Sequence, residues 1–356
     1  MTRVLYILLA ILLFGVMIAI HEFGHFFTAK LFKVKVNEFS IGMGPTLWKK
    51  VKGETQYTLR AIPMGGYCAM EGEDEDTGDP RAFSRQAGWK KIIILCAGSV
   101  MNFLMGLVIT VLLFTGVTAV RTPVITEFAE GFQLSGQSGL MEGDFITKVD
   151  GHSIWCYEDV LMFLGRNDGK GIDLELERDG KKIVLNDFPM YRGEYVYKGE
   201  AYTGFGLVFG GAEQLTLPGR LRLGLVQTVD YVRTTWISLA DLVTGRVSVT
   251  QLSGVIGVVD VVSEVGASAT TAVDGVLNVL SIMALIAVNL AVMNLLPIPA
   301  LDGGRILFIL INGVLWLLFR RRIPEKYEGY VHTAAFILLL VLMVLVAFHD
   351  VWNIFR

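Results

Sequence analysis

The chain has 356 residues, 53% hydrophobic and 18% charged, with a formal net charge of −3. A soluble domain carries about a quarter of its residues as charges, so the composition points to a membrane protein with a modest water-exposed insertion. The slight acidic balance excludes a broad nucleic-acid-binding surface, which needs clustered basic excess. Cys68, Cys96 and Cys156 stand far apart without C-x-x-C spacing, so they form neither a zinc knuckle nor a disulfide framework.

Crossing a bilayer takes about 20 residues of helix. From Val4 to Ala29 the only charge is Glu22, which predicts a first transmembrane segment over residues 1–30. It is too long for a signal peptide, and no small-residue cleavage site follows it. Residues 31–90 form a basic loop, and the uncharged run Ile92 to Val120 predicts a second segment over 91–120. A β-rich domain is expected over 121–210. Within it Val124-Ile125-Thr126 reads as a strand, and residues 172–178 alternate with apolar Ile172, Leu174 and Leu176, as a half-buried strand does. Asp179-Gly180 then reads as a hairpin turn into a strand over 181–185.

Residues 211–274 are mixed. Leu217 to Val243 is apolar but interrupted by Arg220, Arg222, Asp230, Arg233 and Asp241, too many charges to span. It reads as a helix, either lying on the outer membrane surface or packed on the β-rich domain. The uncharged run Gly275 to Leu301 predicts a third segment over 275–303. Ile306 to Phe319 is short and ends in Arg320, Arg321 and Arg322, so 304–331 reads as a cytoplasmic extension. Thr333 to Phe348 predicts a fourth segment over 332–356. The expected fold is a polytopic α-helical membrane protein, about four transmembrane helices with one inserted extracytoplasmic β-rich domain.

Loops rich in lysine and arginine stay in the cytoplasm. Eleven such residues, from Lys30 to Lys91, separate the first two segments, and Arg320 to Arg322 with Lys326 separate the last two. Residues 121–274 and both termini then lie outside.

His21-Glu22-Phe23-Gly24-His25 is an H-E-x-x-H sequence. On a helix its histidines fall at i and i+4 on one face, so both imidazoles reach one metal ion. Glu22 lies beside them, placed to take a proton from water at the metal. Zinc is the expected ion, since imidazole and carboxylate ligands suit it and hydrolysis needs no redox change. A glutamate and two histidines inside a membrane helix are costly to bury and functional by default. Among the other segments Asp302 stands out as the third ligand, in a stretch from Asn294 to Gly304 broken by Pro297, Pro299, Gly303 and Gly304. Backbone freed by such breaks is tolerated at membrane depth only where it lines a cavity. Asp302 also sits where it could cap a following helix.

These two motifs resemble those of the site-2 protease family of intramembrane metalloproteases, which pairs H-E-x-x-H with an L-D-G element, here Leu301-Asp302-Gly303. The resemblance covers nearly the whole chain. It implies zinc held by His21, His25 and Asp302, with Glu22 as catalytic acid/base. The pattern from Asn294 to Gly303 is similar to the bacterial branch, as is Met64-Gly65-Gly66-Tyr67, which resembles its membrane-associated β-hairpin. Residues 138–151 resemble the core signature of bacterial PDZ domains, implying one PDZ-like unit facing outward from the bacterial cytoplasmic membrane. The implied partners are membrane lipid and single-span membrane proteins, either anti-sigma factors or remnant signal peptides. Gly65 and Gly66 are expected to bind the substrate through strand addition to the stretch from Tyr57 to Tyr67, and Asn294 through a side-chain amide that holds the substrate backbone or steadies the developing oxyanion. Two positions depart from the branch: Ser99 and Val255 stand where relatives often have proline.

Other classes fit less well. A catalytically silent scaffold would have lost Glu22 or a ligand. A transporter would show repeats between its halves, and H-E-x-x-H would serve no purpose there.

Overall fold

A computed structural model describes residues 2–73, 77–166, 169–247, 254–321 and 323–354. Arg322 and Leu252-Ser253 lie outside the described residues. The chain opens with α1 (Arg3–Leu31), β1 (Val36–Lys52), β2 (Thr55–Met70) and α2 (Gly88–Thr115). Next come β3 (Ala119–Phe128), β4 (Phe145–Val149), β5 (His152–Ser153), α3 (Tyr157–Gly165), β6 (Ile172–Arg178) and β7 (Lys181–Phe188). Then follow β8 (Gly193–Tyr197), β9 (Glu200–Gly204), β10 (Leu207–Gln214) and α4 (Leu217–Val243). The chain closes with α5 (Val255–Ala267), α6 (Ala272–Asn294), α7 (Asp302–Phe319) and α8 (Glu325–Ile354). Two compact units result, Met1–Thr110 with Tyr231–Arg356, and Val111–Asp230.

Among the described residues five helices are long and apolar enough to cross a membrane by length and composition: α1, α2, α6, α7 and most of α8. The four expected segments are among them, with shifted ends. The second stops at Thr115, and Ala119 already opens a strand, because an uncharged run does not distinguish helix from strand. The third stops at Asn294, since Pro297 and Pro299 lack the N–H a helix needs. The fourth begins at Glu325, and Ile306–Phe319 belongs to the eighteen-residue helix α7.

Without a hydrophobic drive between helices in lipid, packing relies on small residues and close fit. Tyr6, fully buried on α1, shows this. A Cβ at Gly266 of α5 would lie 2.6 Å from its ring. Around Tyr6 pack Ala10, Met17, Val262, Val279, Met283 and Ala287. A second cluster forms at the C-terminal end of α1, where Ala29, Val34, Val36, Ile94 and Leu95 meet Ile306 and Ile309 of α7.

Strands β1 and β2 fold into more than a simple hairpin. Phe39 pairs with both Cys68 and Tyr57, while Tyr57 pairs with both Phe39 and Lys50. The first half of β1 therefore lies between the two halves of β2. In spatial order the segments run 46–52, 55–60, 36–41, 66–70, which leaves 66–70 paired on one side only in this ladder.

The second unit is built on a six-stranded sheet ordered β10-β3-β4-β6-β7, with β5 beside β4. β6 buries Ile172, Leu174 and Leu176 at 1% exposure or less, each worth about 1.5–3 kcal/mol. The turn to β7 puts Asp179 at φ 50° and Gly180 at φ 72°, the paired left-handed conformation of a two-residue hairpin. Asp144, whose side chain is fully buried, accepts two hydrogen bonds from Arg178, Nε to Oδ1 at 2.6 Å and Nη2 to Oδ2 at 2.7 Å. Arg178 Nη2 also donates to the Gly139 carbonyl at 2.7 Å. This pair fixes the 138–145 loop to β6.

Candidate metal centre

His21 and His25 lie one turn apart near the C-terminal end of α1, their rings edge to face with centroids 4.8 Å apart. The third donor arrives from the break between α6 and α7. There the chain turns back through Ala300, which holds a left-handed φ of 79° and donates its N–H to His332 Nδ1 of α8 at 2.9 Å. Gly303 and Gly304 are required where the new helix starts, because a side chain at either would strike the carbonyl oxygens of Leu296 or Ile298. Asp302 is the first residue of α7, with Leu301 at the N-cap.

The donor atoms converge. Asp302 Oδ2 lies 3.3 Å from His21 Nε2 and 3.4 Å from His25 Nε2, and the two Nε2 atoms are 3.2 Å apart. Zinc bonds of 2.0–2.2 Å at tetrahedral angles put ligand atoms about 3.3–3.5 Å apart. The triangle therefore fits the donor spacing that a bound zinc ion would need, and His21, His25 and Asp302 would hold it. Among the described residues nothing donates a hydrogen bond to the buried Asp302 Oδ2, although two ring nitrogens face it. Three lone pairs aimed at one point are costly without a cation between them.

Helix α2 backs this triangle with one residue per turn. The Ile94 carbonyl lies 2.8 Å from His25 Nδ1, which fixes Nδ1 as the protonated nitrogen and leaves Nε2 free to ligate. At Gly98 any Cβ would meet His25 Nε2 and lie 2.7 Å from His21 Cε1. Asn102, fully buried, brings Nδ2 within 3.3 Å of His21 Nδ1. The sequence reading missed Ile94, Gly98 and Asn102. The signal was present, a glycine and an amide four residues apart in a helix with no charge after Lys91.

The expected substrate residues divide. Asn294, the last residue of α6, places Nδ2 3.5 Å from His21 Nε2. Gly66 also reaches the centre: a Cβ there would lie 3.2 Å from Glu22 Cγ and 2.9 Å from the Ser40 carbonyl oxygen. Gly65 does not, since its φ of 89° serves the bend of β2 and its neighbour is Met43. Glu22 sits in the electrostatic reach of His25, His21, Asp302 and Glu73.

Imidazole, imidazole and carboxylate around one point, beside a further carboxylate, form a donor set of hydrolytic zinc enzymes, here set among apolar helices. Residues 9–342 match the profile of peptidase family M50, the site-2 protease family. The chain belongs to that family and is an intramembrane zinc metalloprotease. It is 35% identical over 350 residues to a Clostridium acetobutylicum protein named as a zinc metalloprotease, covering 97% of each. A Clostridium perfringens protein of the same name type is 33% identical, covering 98% of each. Zinc metalloprotease RasP of Shouchella clausii is 27% identical over 427 aligned positions, covering 97% of this chain and 98% of that one. That alignment is longer than the present chain, so the relative carries residues this chain lacks.

Proposed function

We propose that His21, His25 and Asp302 hold the zinc, that Glu22 is the catalytic acid/base, and that the substrate is a single-span membrane protein. Anti-sigma factors and remnant signal peptides are the substrate types proposed. The observation that carries this reading is the triangle of donor atoms with 3.2–3.4 Å sides.

Zinc, when bound, supplies a Lewis acid that polarises a carbonyl and brings the pKa of water to about 7. Glu22 takes a proton from the attacking water and returns it to the leaving amine, roles a carboxylate held beside the metal can exchange within one turnover. Asn294 donates its amide to the substrate carbonyl as negative charge develops there.

A scissile bond inside a helix is shielded by its own hydrogen bonding and must first become extended. Segment 66–70 of β2, paired on one side only with 36–41, offers replacement partners by strand addition. Gly66 sets the distance, since its missing side chain lets that strand approach Glu22.

The proposed topology keeps four crossing segments. Ile306 and Ile309 of α7 pack on the cluster at the C-terminal end of α1, which supports α7 as a broken continuation of α6 toward the cytoplasm. The second unit is read as a PDZ-like domain on the extracytoplasmic side. Leu217, Leu221, Leu225 and Val229 of α4 form an exposed stripe at four-residue spacing, as a helix resting on lipid would.

The test is substrate trapping. Full-length Glu22→Gln protein in its native membrane should accumulate uncut single-span proteins, identified by mass spectrometry of the membrane fraction. If nothing accumulates relative to the active enzyme, the substrate class is wrong.

A further inference from the structure

We infer that Asn102 is a positioning residue that holds His21 in the tautomer able to bind metal. The inference rests on the zinc-site reading above and concerns a residue that reading leaves out.

His21 presents Nε2 toward Asp302 and His25, so Nε2 must carry a lone pair if it is to ligate. A neutral imidazole has one protonated nitrogen, and the proton must then sit on Nδ1. Nδ1 becomes a donor, on a side chain only 12% exposed, that needs an acceptor. Asn102 is its neighbour, at 3.3 Å, on a residue with no exposed surface. The amide nitrogen faces Nδ1, while Asn102 Oδ1 is buried with no hydrogen-bond partner among the described residues. The two ends of an amide have the same shape, and their assignment is settled by the hydrogen bonds they make. Turning the amide over lets Oδ1 accept the Nδ1 proton and replaces a donor facing a donor with a hydrogen bond. The NH2 group then points away from His21.

The two histidines are thus held by different means. His25 is fixed by the Ile94 carbonyl, which no substitution removes. His21 depends on a side chain. Partners of this kind orient the ring and raise its basicity, and losing one typically costs about 10–100-fold in metal affinity. Asn102 is therefore an α2 side chain at which zinc affinity can be tuned without replacing a ligand.

The experiment measures zinc affinity of the purified full-length protein in detergent, by competition with a chromophoric chelator. Asn102→Leu, similar in volume but without an acceptor, should bind zinc about 10–100-fold more weakly. Asn102→Asp keeps an oxygen at the same place and should stay within a factor of a few of the native value. Native affinity in Asn102→Leu overturns the inference, as does a loss in Asn102→Asp equal to that in Asn102→Leu. Should Asn102→Leu fail to fold, Asn102→Asp decides alone, since weak zinc binding in that variant removes the acceptor role. His21→Ala separates this inference from the reading it rests on. If His21→Ala binds zinc normally, the zinc site itself is misassigned. If His21→Ala loses zinc while both Asn102 variants keep it, only the positioning role fails.

Discussion

Asp302 Oδ2 stands 3.3 Å from His21 Nε2, joining the first turn of α7 to the last turns of α1. In the proposed site neither helix could bind a metal tightly alone, since α1 would offer two ligands and α7 one. Metal binding therefore ties two ends of the chain together, and its loss should be felt in stability as well as in activity.

Purified protein should contain one zinc per chain. His25→Ala and Asp302→Ala should each lose it, and thermal unfolding should move to lower temperature in both. Glu22→Gln should keep its zinc and lose about 10²–10⁴-fold in cleavage rate, because the acid/base is gone while the ligands remain. Metal analysis beside a cleavage assay checks all three. Undiminished zinc in Asp302→Ala would return the third ligand to the unknown.

Strand addition at β2 predicts a graded effect at Gly66. Gly66→Ala introduces the contact with Ser40 and Glu22 but keeps the backbone N–H. Gly66→Pro removes the N–H as well and should cleave more slowly than Gly66→Ala, with zinc content normal in both. Helix-breaking residues placed in the substrate's span should partly rescue Gly66→Pro, since less unwinding is then required. Asn294→Ala should lower the rate by about 10²–10³-fold if its amide stabilises the developing charge. Equal rates for Gly66→Pro and Gly66→Ala would mean the substrate backbone is held elsewhere.

The buried pair of Asp144 and Arg178 should dominate the stability of the second unit. Arg178→Met strands a buried carboxylate and should cost about 3–5 kcal/mol. The double variant Asp144→Leu with Arg178→Met should recover part of that loss, because no charge is left uncompensated. Denaturant unfolding monitored on that unit distinguishes the two. A double variant no better than Arg178→Met would show that the pair holds the loop by geometry rather than by charge balance.

Topology is checked by thiol labelling from outside intact cells, after Cys68, Cys96 and Cys156 are replaced. A cysteine at position 181 should be labelled and one at position 50 should not. The opposite pattern would turn the molecule over.

What the sequence determined by itself is what local spacing encodes. An i, i+4 pair of histidines shares a helix face wherever that helix packs, and strict alternation puts Ile172, Leu174 and Leu176 on one side of a strand in any sheet. The ends of α4, Leu217 and Val243, were legible as the limits of an apolar run dotted with charges, and the break before Asp302 from two prolines that forbid a continuous helix. Helix ends within uncharged runs were not legible, because apolar residues near Thr115 satisfy a membrane helix and a buried strand equally. Tertiary structure alone decided which elements meet. Ile94, Gly98 and Asn102 reach the histidines only because α2 packs behind α1. Gly66 lies beside Glu22 only because the first half of β1 inserts between the two halves of β2. Such contacts depend on shape and on hydrogen bonds between residues far apart in the chain, and no local period records them.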